Sequence, residues 1–307
     1  MTIPFVPPLD VVRYGEVEQV SPLIRRVIAE NPTKYSYRGT ATFIVGHGDV
    51  AVIDPGPVLD AHRDALAAAL QGERVRAILV THCHSDHSPL AAWLRVETGA
   101  PTIAFGPHGA VATEDDDEES DVKVEESIDL DFLPDVAAAD GDVVFEVGGA
   151  PMRAVHTPGH TSNHLCFSLE AEDALFTGDH VMGWSTTVVS PPDGDMRAYM
   201  HSLAKVRGRH DRILWPTHGN PVTDVAPFLD AYHAHRVERE HQVLARVRAG
   251  SSNISDMVAV LYADVREELH KAAGRSVFAH LVKLVDDGVV AVDGDAPATL
   301  KSVYRPV

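Results

Sequence analysis

The stretch that decides the fold is Thr81-His82-Cys83-His84-Ser85-Asp86-His87, which places three histidines and an aspartate within six residues. It directly follows residues 75–80, a nearly continuous apolar run that predicts a buried β-strand. Side chains at positions i and i+2 point the same way at the end of a strand, so His82 and His84 can share one metal ion. Asp86 and His87 follow on a turn and can face a second ion. Imidazole and carboxylate ligands suit zinc, and iron, manganese or cobalt accept the same set.

Strand and helix patterns alternate on both sides of this motif. Residues 41–45 and 50–54 are β-rich runs around Gly46-His47-Gly48-Asp49, which predicts a hairpin. Helical patterns cover residues 59–70, residues 89–97 and a stretch beginning at Met196. Further strands are predicted over residues 101–105, 143–147, 152–156, 164–169, 174–176 and 212–215. This order predicts sheets that pack on each other and are covered by helices.

Three later turns each place a histidine or an aspartate directly after a predicted strand, where loops gather around functional sites. They are Thr157-Pro158-Gly159-His160-Thr161, Gly178-Asp179-His180 and Pro216-Thr217-His218-Gly219. A lone histidine in a turn is usually a surface residue. Together with the first motif, however, these turns supply enough ligands for two metal ions.

The composition limits the class of protein. The chain has 307 residues, of which 45% are hydrophobic and 23% charged, as in a globular protein rather than a disordered one. Its formal net charge of −19 argues against indiscriminate binding to nucleic acid or anionic membranes. The sequence contains no apolar run of the roughly 18 residues that a membrane span needs, and its start lacks a secretory pattern. Because two cysteines make no disulfide framework, we expect a cytoplasmic protein.

An acidic segment, residues 114–131, holds eleven acidic residues and one lysine. It carries about half of the excess negative charge of the chain. We favour a solvated loop for this segment, over a role in recognition or gating.

The pattern changes after about residue 223. Residues 225–247 predict a long helix, residues 249–253 break it and offer an N-cap, and two further apolar stripes of helical spacing follow. Residues 289–292 and 300–304 predict a terminal hairpin. Because helices followed by a hairpin are typical of a winged helix, we predict a first domain over residues 1–223 and a winged-helix domain over residues 224–307. Residues 233–307 contain ten Lys and Arg against ten Asp and Glu, which favours a packing or dimerisation module over a DNA reader.

These motifs resemble those of the metallo-β-lactamase-fold hydrolase superfamily. The resemblance rests on Ile53-Asp54-Pro55-Gly56, HCHSDH at 82–87, TPGHT at 157–161, TGD at 177–179 and PTHG at 216–219, in the order and spacing of the family. It implies an α+β chain with an αββα sandwich, metals at one edge of the two sheets, and a small winged helix behind it. By this resemblance His82, His84 and His160 bind the first metal, Asp86, His87 and His218 bind the second, and Asp179 bridges both.

The resemblance also implies a mechanism. Two Zn²⁺ ions per chain, with Fe or Mn as alternatives, hold a hydroxide that attacks a carbonyl carbon or phosphorus. Asp86 orients this nucleophile or carries a proton, and Asp54 fixes a ligand histidine from behind the site by a hydrogen bond. His180 is not among the usual ligands of the family; from its position after Asp179 we assign it to protonate the leaving group or contact the substrate, with a supporting role as the equal alternative. Trp184 is either a wall of the substrate pocket or a core residue.

Four further side chains are predicted to take no part in metal binding or catalysis. Cys83 and Cys166 are expected to be buried, and His156 and His164 to be structural rather than metal-binding.

The scissile bond stays open among ester, thioester, lactone, lactam and phosphodiester. A small-molecule substrate is expected and no membrane partner, with single-stranded RNA as an alternative because the tail is similar to that of an endoribonuclease branch. A glyoxalase II-like thioesterase and a mononuclear-iron persulfide dioxygenase are the other enzymes considered. The alternative outside enzymes is a winged-helix regulator with a vestigial metal domain, but seven filled ligand positions favour an enzyme. The sequence leaves the oligomeric state open.

Overall fold

The computed structural model describes residues 3–7, 11–109, 128–264, 267–294 and 297–307. Most of the acidic segment, residues 114–131, lies outside the described residues, so its predicted loop stays a prediction. Among the described residues we find no helix with the length and hydrophobicity that crossing a membrane requires.

The larger sheet of the described chain has seven strands that lie side by side in chain order. They are Val17–Gln19 (β1), Ile24–Ile28 (β2), Ala41–His47 (β3), Asp49–Ile53 (β4), Arg74–Leu79 (β5), Thr102–Ala104 (β6) and Val136–Ala137 (β7). The turn between β3 and β4 contains Gly46 and Gly48 at φ of 99° and 75°, where a side chain would be strained. β4, β5 and β6 run parallel, so β5 delivers the 81–87 motif at its carboxyl end.

The smaller sheet also follows chain order, and its described strands are Val143–Val147 (β8), Ala150–His156 (β9), Leu165–Leu169 (β10), Ala174–Gly178 (β11) and Ile213–Pro216 (β12). β10 is antiparallel to both β9 and β11, and β12 is parallel to β11. β9, β11 and β12 therefore run the same way and end at the same edge. The three later histidine- and aspartate-bearing turns all begin at that edge.

Helices cover both outer faces of the paired sheets. They are Asp60–Ala69 (α1) and Leu90–Thr98 (α2) on the larger sheet, and Met196–Arg207 (α3) and Val225–Arg248 (α4) on the smaller one. Between the sheets, side chains such as Phe43 and Phe167 form a shared apolar core. Each large apolar side chain buried there contributes about 1.5–3 kcal/mol. The four layers make the predicted αββα sandwich.

The C-terminal module is the predicted winged helix. Its elements after α4 are Ile254–Leu261 (α5), a short 3₁₀ turn at Glu267–Leu269, His270–Asp286 (α6), Val290–Val292 (β13) and Tyr304–Pro306 (β14). Another 3₁₀ turn, Glu170–Glu172, lies between β10 and β11 of the smaller sheet. Asn253 caps α5 by accepting a hydrogen bond from the Asp256 amide at 2.8 Å. β13 and β14 pair as an antiparallel ribbon.

Helix α4 belongs to two hydrophobic cores. Phe228 and Tyr232 in its first half pack with the smaller sheet and α3. Val243 and Val247 in its second half pack inside the winged helix. The boundary predicted between residues 223 and 224 stays a prediction, but the helix that begins there is shared by both cores.

The structure differs from the sequence predictions in two places. The sequence patterns did not identify β1, β2 or β7. The predicted last strand over residues 300–304 is wrong in position, because the strand begins only at Tyr304. Thr299 and Ser302 form a hydrogen-bonded turn instead, in which the Thr299 amide donates to Ser302 Oγ at 2.9 Å and the Ser302 amide donates to the Thr299 carbonyl at 3.2 Å.

Candidate metal centre

Three histidines converge at the edge where the two sheets meet. Nε2 of His82 lies 2.9 Å from Nδ1 of His84, and Nε2 of His160 lies 3.2 Å from that same atom. All three side chains are buried. Three ring nitrogens that point at one another across this distance are the arrangement that a single cation satisfies.

A second group lies directly beside the first. Asp86, His87 and His218 bring one ligand atom each within 4.8 Å of one another. Nε2 of His87 lies 3.4 Å from Oδ1 of Asp86, and Nε2 of His218 lies 3.3 Å from Oδ2 of Asp86. This group combines imidazole and carboxylate donors, as the 82–87 motif indicates.

Asp179 lies between the two groups. Its Oδ2 is 3.9 Å from Nε2 of His160, 3.8 Å from Nε2 of His87 and 3.4 Å from Nε2 of His218. His82, His87 and Asp179 form a third group of potential ligands that overlaps the other two. The central position of Asp179 allows one carboxylate to serve two ions.

Three buried ligand atoms have no hydrogen-bond partner among the described residues: Nε2 of His87, Nε2 of His218 and Oδ1 of Asp179. An unsatisfied polar atom inside a protein costs about 1–3 kcal/mol. A bound cation removes this cost, so the donor set fits metal ions.

The outer ring nitrogens of the ligand histidines are held from behind. Asp54 accepts from Nδ1 of His87 at 2.9 Å, Val188 O accepts from Nδ1 of His160 at 2.7 Å, and Gly39 O accepts from Nδ1 of His218 at 3.2 Å. Because a carbonyl or carboxylate oxygen only accepts, Nδ1 carries the proton in each ring. Loss of the second proton from such a ring leaves the Nε2 lone pair directed at the cluster, as a metal ligand requires.

Asp54 is itself fixed behind the site. Its two carboxylate oxygens accept from the amide and the hydroxyl of Thr81, both at 2.8 Å, and its Oδ2 also accepts from Thr217 Oγ1 at 3.2 Å. Its backbone adopts a φ of 48°, which is uncommon for a residue other than glycine. Asp54 therefore orients a ligand from outside the cluster and does not belong to the groups that could hold an ion.

The charges of the site oppose one another. Burial would lower the pKa of His87, but the carboxylates of Asp86, Asp179 and Asp54 raise it to about 9. Burial would raise the pKa of Asp179, but His218 and His87 hold it well below its usual range. Burial together with the neighbouring histidines holds the pKa of His82 well below its usual value. Asp179 thus stays ionised and His82 stays neutral, as metal ligands require, whereas a metal bound at His87 would displace the ring proton that the carboxylates stabilise.

His180 does not join the converging ligand atoms. It is fully buried, its ring lies 5.0 Å from the Tyr199 ring, and neither ring nitrogen has a hydrogen-bond partner within the described part of the chain. Burial, aided by the nearby His160 and Arg236, lowers its pKa to about 3. Its assignment as a proton donor stays a prediction, and this packed environment argues against it.

The remaining predicted residues lie around the cluster. Cys83 and Cys166 are buried, and His164 accepts from the Asp179 amide at 3.2 Å. Trp184 stacks on Tyr37 with ring centroids 4.5 Å apart. A side chain at Gly219, the residue after His218, would meet the Trp184 ring at 3.0 Å, so this aromatic pair stands next to the metal-binding edge.

Three contributors to the site were not identified from the sequence. Thr40 donates to Oδ2 of Asp86 at 2.8 Å and fixes that carboxylate. Val188 and Gly39 each contribute only a backbone carbonyl, which no side-chain pattern signals. Thr81, by contrast, could have been found, because it opens the 81–87 motif.

Comparisons with known proteins agree with this architecture. A family model described as the metallo-beta-lactamase superfamily matches residues 37–218, and one for the beta-lactamase associated winged helix domain matches residues 254–299. An atrochrysone carboxyl ACP thioesterase from Aspergillus chevalieri is 32% identical over 304 residues, covering 94% of this chain and 87% of the relative. The lactamase-like protein adaB from Aspergillus niger is 31% identical over 301 residues, covering 92% of this chain and 86% of the relative.

Solved structures share the fold over nearly the whole chain. A beta-lactamase domain protein from Burkholderia ambifaria superposes with a TM-score of 0.77 at 21% identity, covering 97% of this chain and 96% of that chain. A metallo-beta-lactamase family protein from Thermus thermophilus gives a TM-score of 0.72 at 23% identity, covering 94% of this chain and 100% of that chain.

Proposed function

This chain belongs to the metallo-beta-lactamase superfamily of hydrolases, and we propose that it hydrolyses an acyl thioester at a centre of two zinc ions. One observation carries the choice of a thioester among the bonds considered. Relatives that are 30–33% identical over at least 90% of the chain are named as atrochrysone carboxyl ACP thioesterases. The proposed substrate is therefore an acyl group carried as a thioester on an acyl-carrier protein.

The seven clustered side chains would hold the two ions. His82, His84 and His160 form the first set. Asp86, His87 and His218 form the second, and the carboxylate of Asp179 serves both. When bound, two such ions supply Lewis acidity, which polarises the carbonyl oxygen of the substrate and lowers the pKa of water toward about 7.

Of Asp86 and Asp179, the two carboxylates in the ligand groups, Asp86 is the more exposed. Its side chain is 16% exposed, whereas that of Asp179 is 2% exposed. The Thr40 hydroxyl fixes its Oδ2 at 2.8 Å, so the carboxylate is held in one orientation. We assign Asp86 to orient the attacking water and to accept its proton.

A thioester makes a proton donor for the leaving group unnecessary. A thiol has a pKa of about 8.5, so thiolate leaves readily near neutral pH. An alcohol or amine leaves far less readily without a proton. The buried His180, whose pKa is lowered to about 3, is poorly suited to deliver one. A thioester needs no proton donor for its leaving group, and the buried His180 is a poor donor. Both points favour thioester hydrolysis.

The stacked pair of Tyr37 and Trp184 provides an apolar wall beside this centre. Tyr37 and Trp184 are partly buried, and their rings lie within 9° of parallel. Arg38 covers Tyr37 with its guanidinium carbon 5.6 Å from the ring centroid. We propose that the edge of this stack contacts the acyl chain while the thioester carbonyl lies at the metals.

The experiment is a substrate panel with the purified, zinc-loaded chain. Acyl-carrier-protein thioesters, acyl-CoA, lactones, nitrocefin and labelled single-stranded RNA are offered in parallel. Thioester cleavage is followed with a thiol reagent, lactone cleavage by acid release, nitrocefin by absorbance and RNA by gel electrophoresis. We expect turnover of thioesters above that of every other class. Faster cleavage of RNA or of nitrocefin would contradict the proposal, and so would sulfite production by an iron-loaded protein.

A matched pair of variants ties any turnover to the site. Asp179→Asn removes a ligand charge from both ions and should abolish thiol release. Asp49→Asn alters an exposed aspartate at the start of β4, the strand whose end carries Asp54, and should leave turnover unchanged. Equal turnover by the two variants would show that the activity comes from a contaminant.

A further inference from the structure

Helix α4 contains a buried arginine, Arg236, near the metal centre. Arg236 is only 3% exposed, and no carboxylate pairs with it among the described residues. Its guanidinium carbon lies instead over the rings of Tyr199 and Tyr232, at 5.0 and 5.9 Å from their centroids. Burying a charge without a carboxylate partner costs several kcal/mol, so the groups that Arg236 contacts must offset this cost.

Two side chains of α4 bind the same residue near the metals. The Arg236 guanidinium donates to the backbone carbonyl of Thr187. The Tyr232 hydroxyl accepts from the backbone amide of the same Thr187 at 2.6 Å. Both backbone polar groups of Thr187 are thus bound by side chains one helical turn apart on α4.

Thr187 lies in loop 179–188, which connects two parts of the metal centre. Its hydroxyl donates to the Asp179 and His180 carbonyls at 2.8 and 2.9 Å and closes the loop on itself. At one end of the loop is the ligand Asp179. At the other end the Val188 carbonyl accepts from Nδ1 of His160 at 2.7 Å. A shift of Thr187 therefore moves both the carboxylate between the two groups and the support of a ligand histidine.

We propose that Arg236 and Tyr232 are positioning residues, which hold the metal ligands Asp179 and His160 in register by binding both backbone groups of Thr187. The helix that leads into the winged-helix module is, on this account, part of the support of the metal centre. The inference rests on the metal-binding part of the proposed function and is independent of the thioester.

The test compares zinc affinity among four variants of the full chain, by competition with a chromophoric chelator. Arg236→Met should lose about 10–100-fold in affinity, the usual loss when the outer support of a ligand is removed. Arg236→Lys, which keeps a donor and the charge, should recover part of it. Tyr232→Phe removes the hydroxyl that binds the Thr187 amide and the Ser185 carbonyl in the same loop, and should lose several-fold in affinity.

Arg239→Met is the matched control. Arg239 lies three residues further along α4, stacks 4.2 Å from the Tyr262 ring centroid and donates to the Leu261 carbonyl at 3.1 Å. It makes the same kinds of contact inside the winged helix. Its substitution should lower thermal stability and leave zinc affinity unchanged.

A folded Arg236→Met protein with wild-type zinc affinity would overturn the inference, and so would an equal loss in Arg239→Met. Should Arg236→Met fail to fold, Tyr232→Phe decides: unchanged affinity overturns the proposal and reduced affinity supports it. With excess zinc, we expect Arg236→Met to lower kcat more than it raises KM. A protein that shows these affinities but cleaves no thioester would contradict the proposed function alone.

Discussion

Asp54 accepts a hydrogen bond from Nδ1 of His87 at 2.9 Å, and both side chains are buried. The bond leaves Nε2 of His87 directed at Asp86 and Asp179. A residue that binds no ion thereby sets the tautomer and the direction of a ligand. The second group of ligands depends on this aspartate as much as on its own members.

Asp54→Asn should therefore weaken the second metal more than the first. The amide keeps the shape of the side chain and tolerates the φ of 48°, but it loses the charge that polarises His87. We expect the zinc affinity of the second site, which contains His87, to fall about 10–100-fold. Stepwise zinc titration measures it, with Asp49→Asn as the control, and an equal loss at both sites would contradict the assignment.

His62 should make the metal-free protein sensitive to acid. Burial lowers its folded-state pKa to about 4, from 6.5 in an unfolded chain. The unfolded state then binds more protons between these values, so stability is full above about pH 6.5 and is lost as the pH falls toward 4. His62→Gln should reduce this loss by about 1–3 kcal/mol. Urea unfolding at pH 7 and 4.5 measures it, and the exposed His47→Gln should match the wild-type slope.

The motif at 81–87 could be interpreted from sequence because its signals are local. A buried strand, alternating side chains and a turn all lie within about a dozen residues. β2 was missed because Arg25 and Arg26 interrupt its apolar pattern. In the structure Arg26 is buried and pairs with Glu18 at 2.6 Å. A charged side chain that would normally predict an exposed position therefore lies inside the protein.

The role of Arg236 lay beyond sequence reasoning for a different reason. Its partner Thr187 is 49 residues away, and neither belongs to a motif. The packing of α4 on α3 and the smaller sheet brings them together. TPGHT and PTHG, by contrast, could be interpreted from the sequence because each directly follows a predicted strand. The strands that precede them run the same way, so both turns lie at one edge of the sheet.

His180→Ala separates packing from catalysis. Because the side chain is buried against Tyr199, its removal should lower the free energy of unfolding by about 1–3 kcal/mol. At saturating zinc, kcat for a thioester should fall less than tenfold. A proton donor would instead lose about 10²–10⁴-fold, most strongly with poor leaving groups. Rates for thioester and oxygen ester substrates, measured on the same preparation, distinguish the two.

Truncation tests whether α4 supports the centre. A chain ending at residue 249 keeps α4 and should retain zinc at reduced stability. A chain ending at residue 223 loses Phe228, Tyr232 and Arg236, which exposes the apolar face of α3 and releases Thr187. We expect it to aggregate or to lose zinc. A stable fragment of residues 1–223 with a full complement of zinc would argue against this dependence.

The most direct test of a two-metal thioesterase is a zinc titration of the metal-free chain, followed by thiol release from an acyl-carrier-protein thioester. The seven-ligand centre predicts that activity rises until two equivalents of zinc per chain are bound and then stays constant. Asp179→Asn should show no such rise. Activity that is complete at one equivalent, or no thiol release at any zinc concentration, would contradict the account.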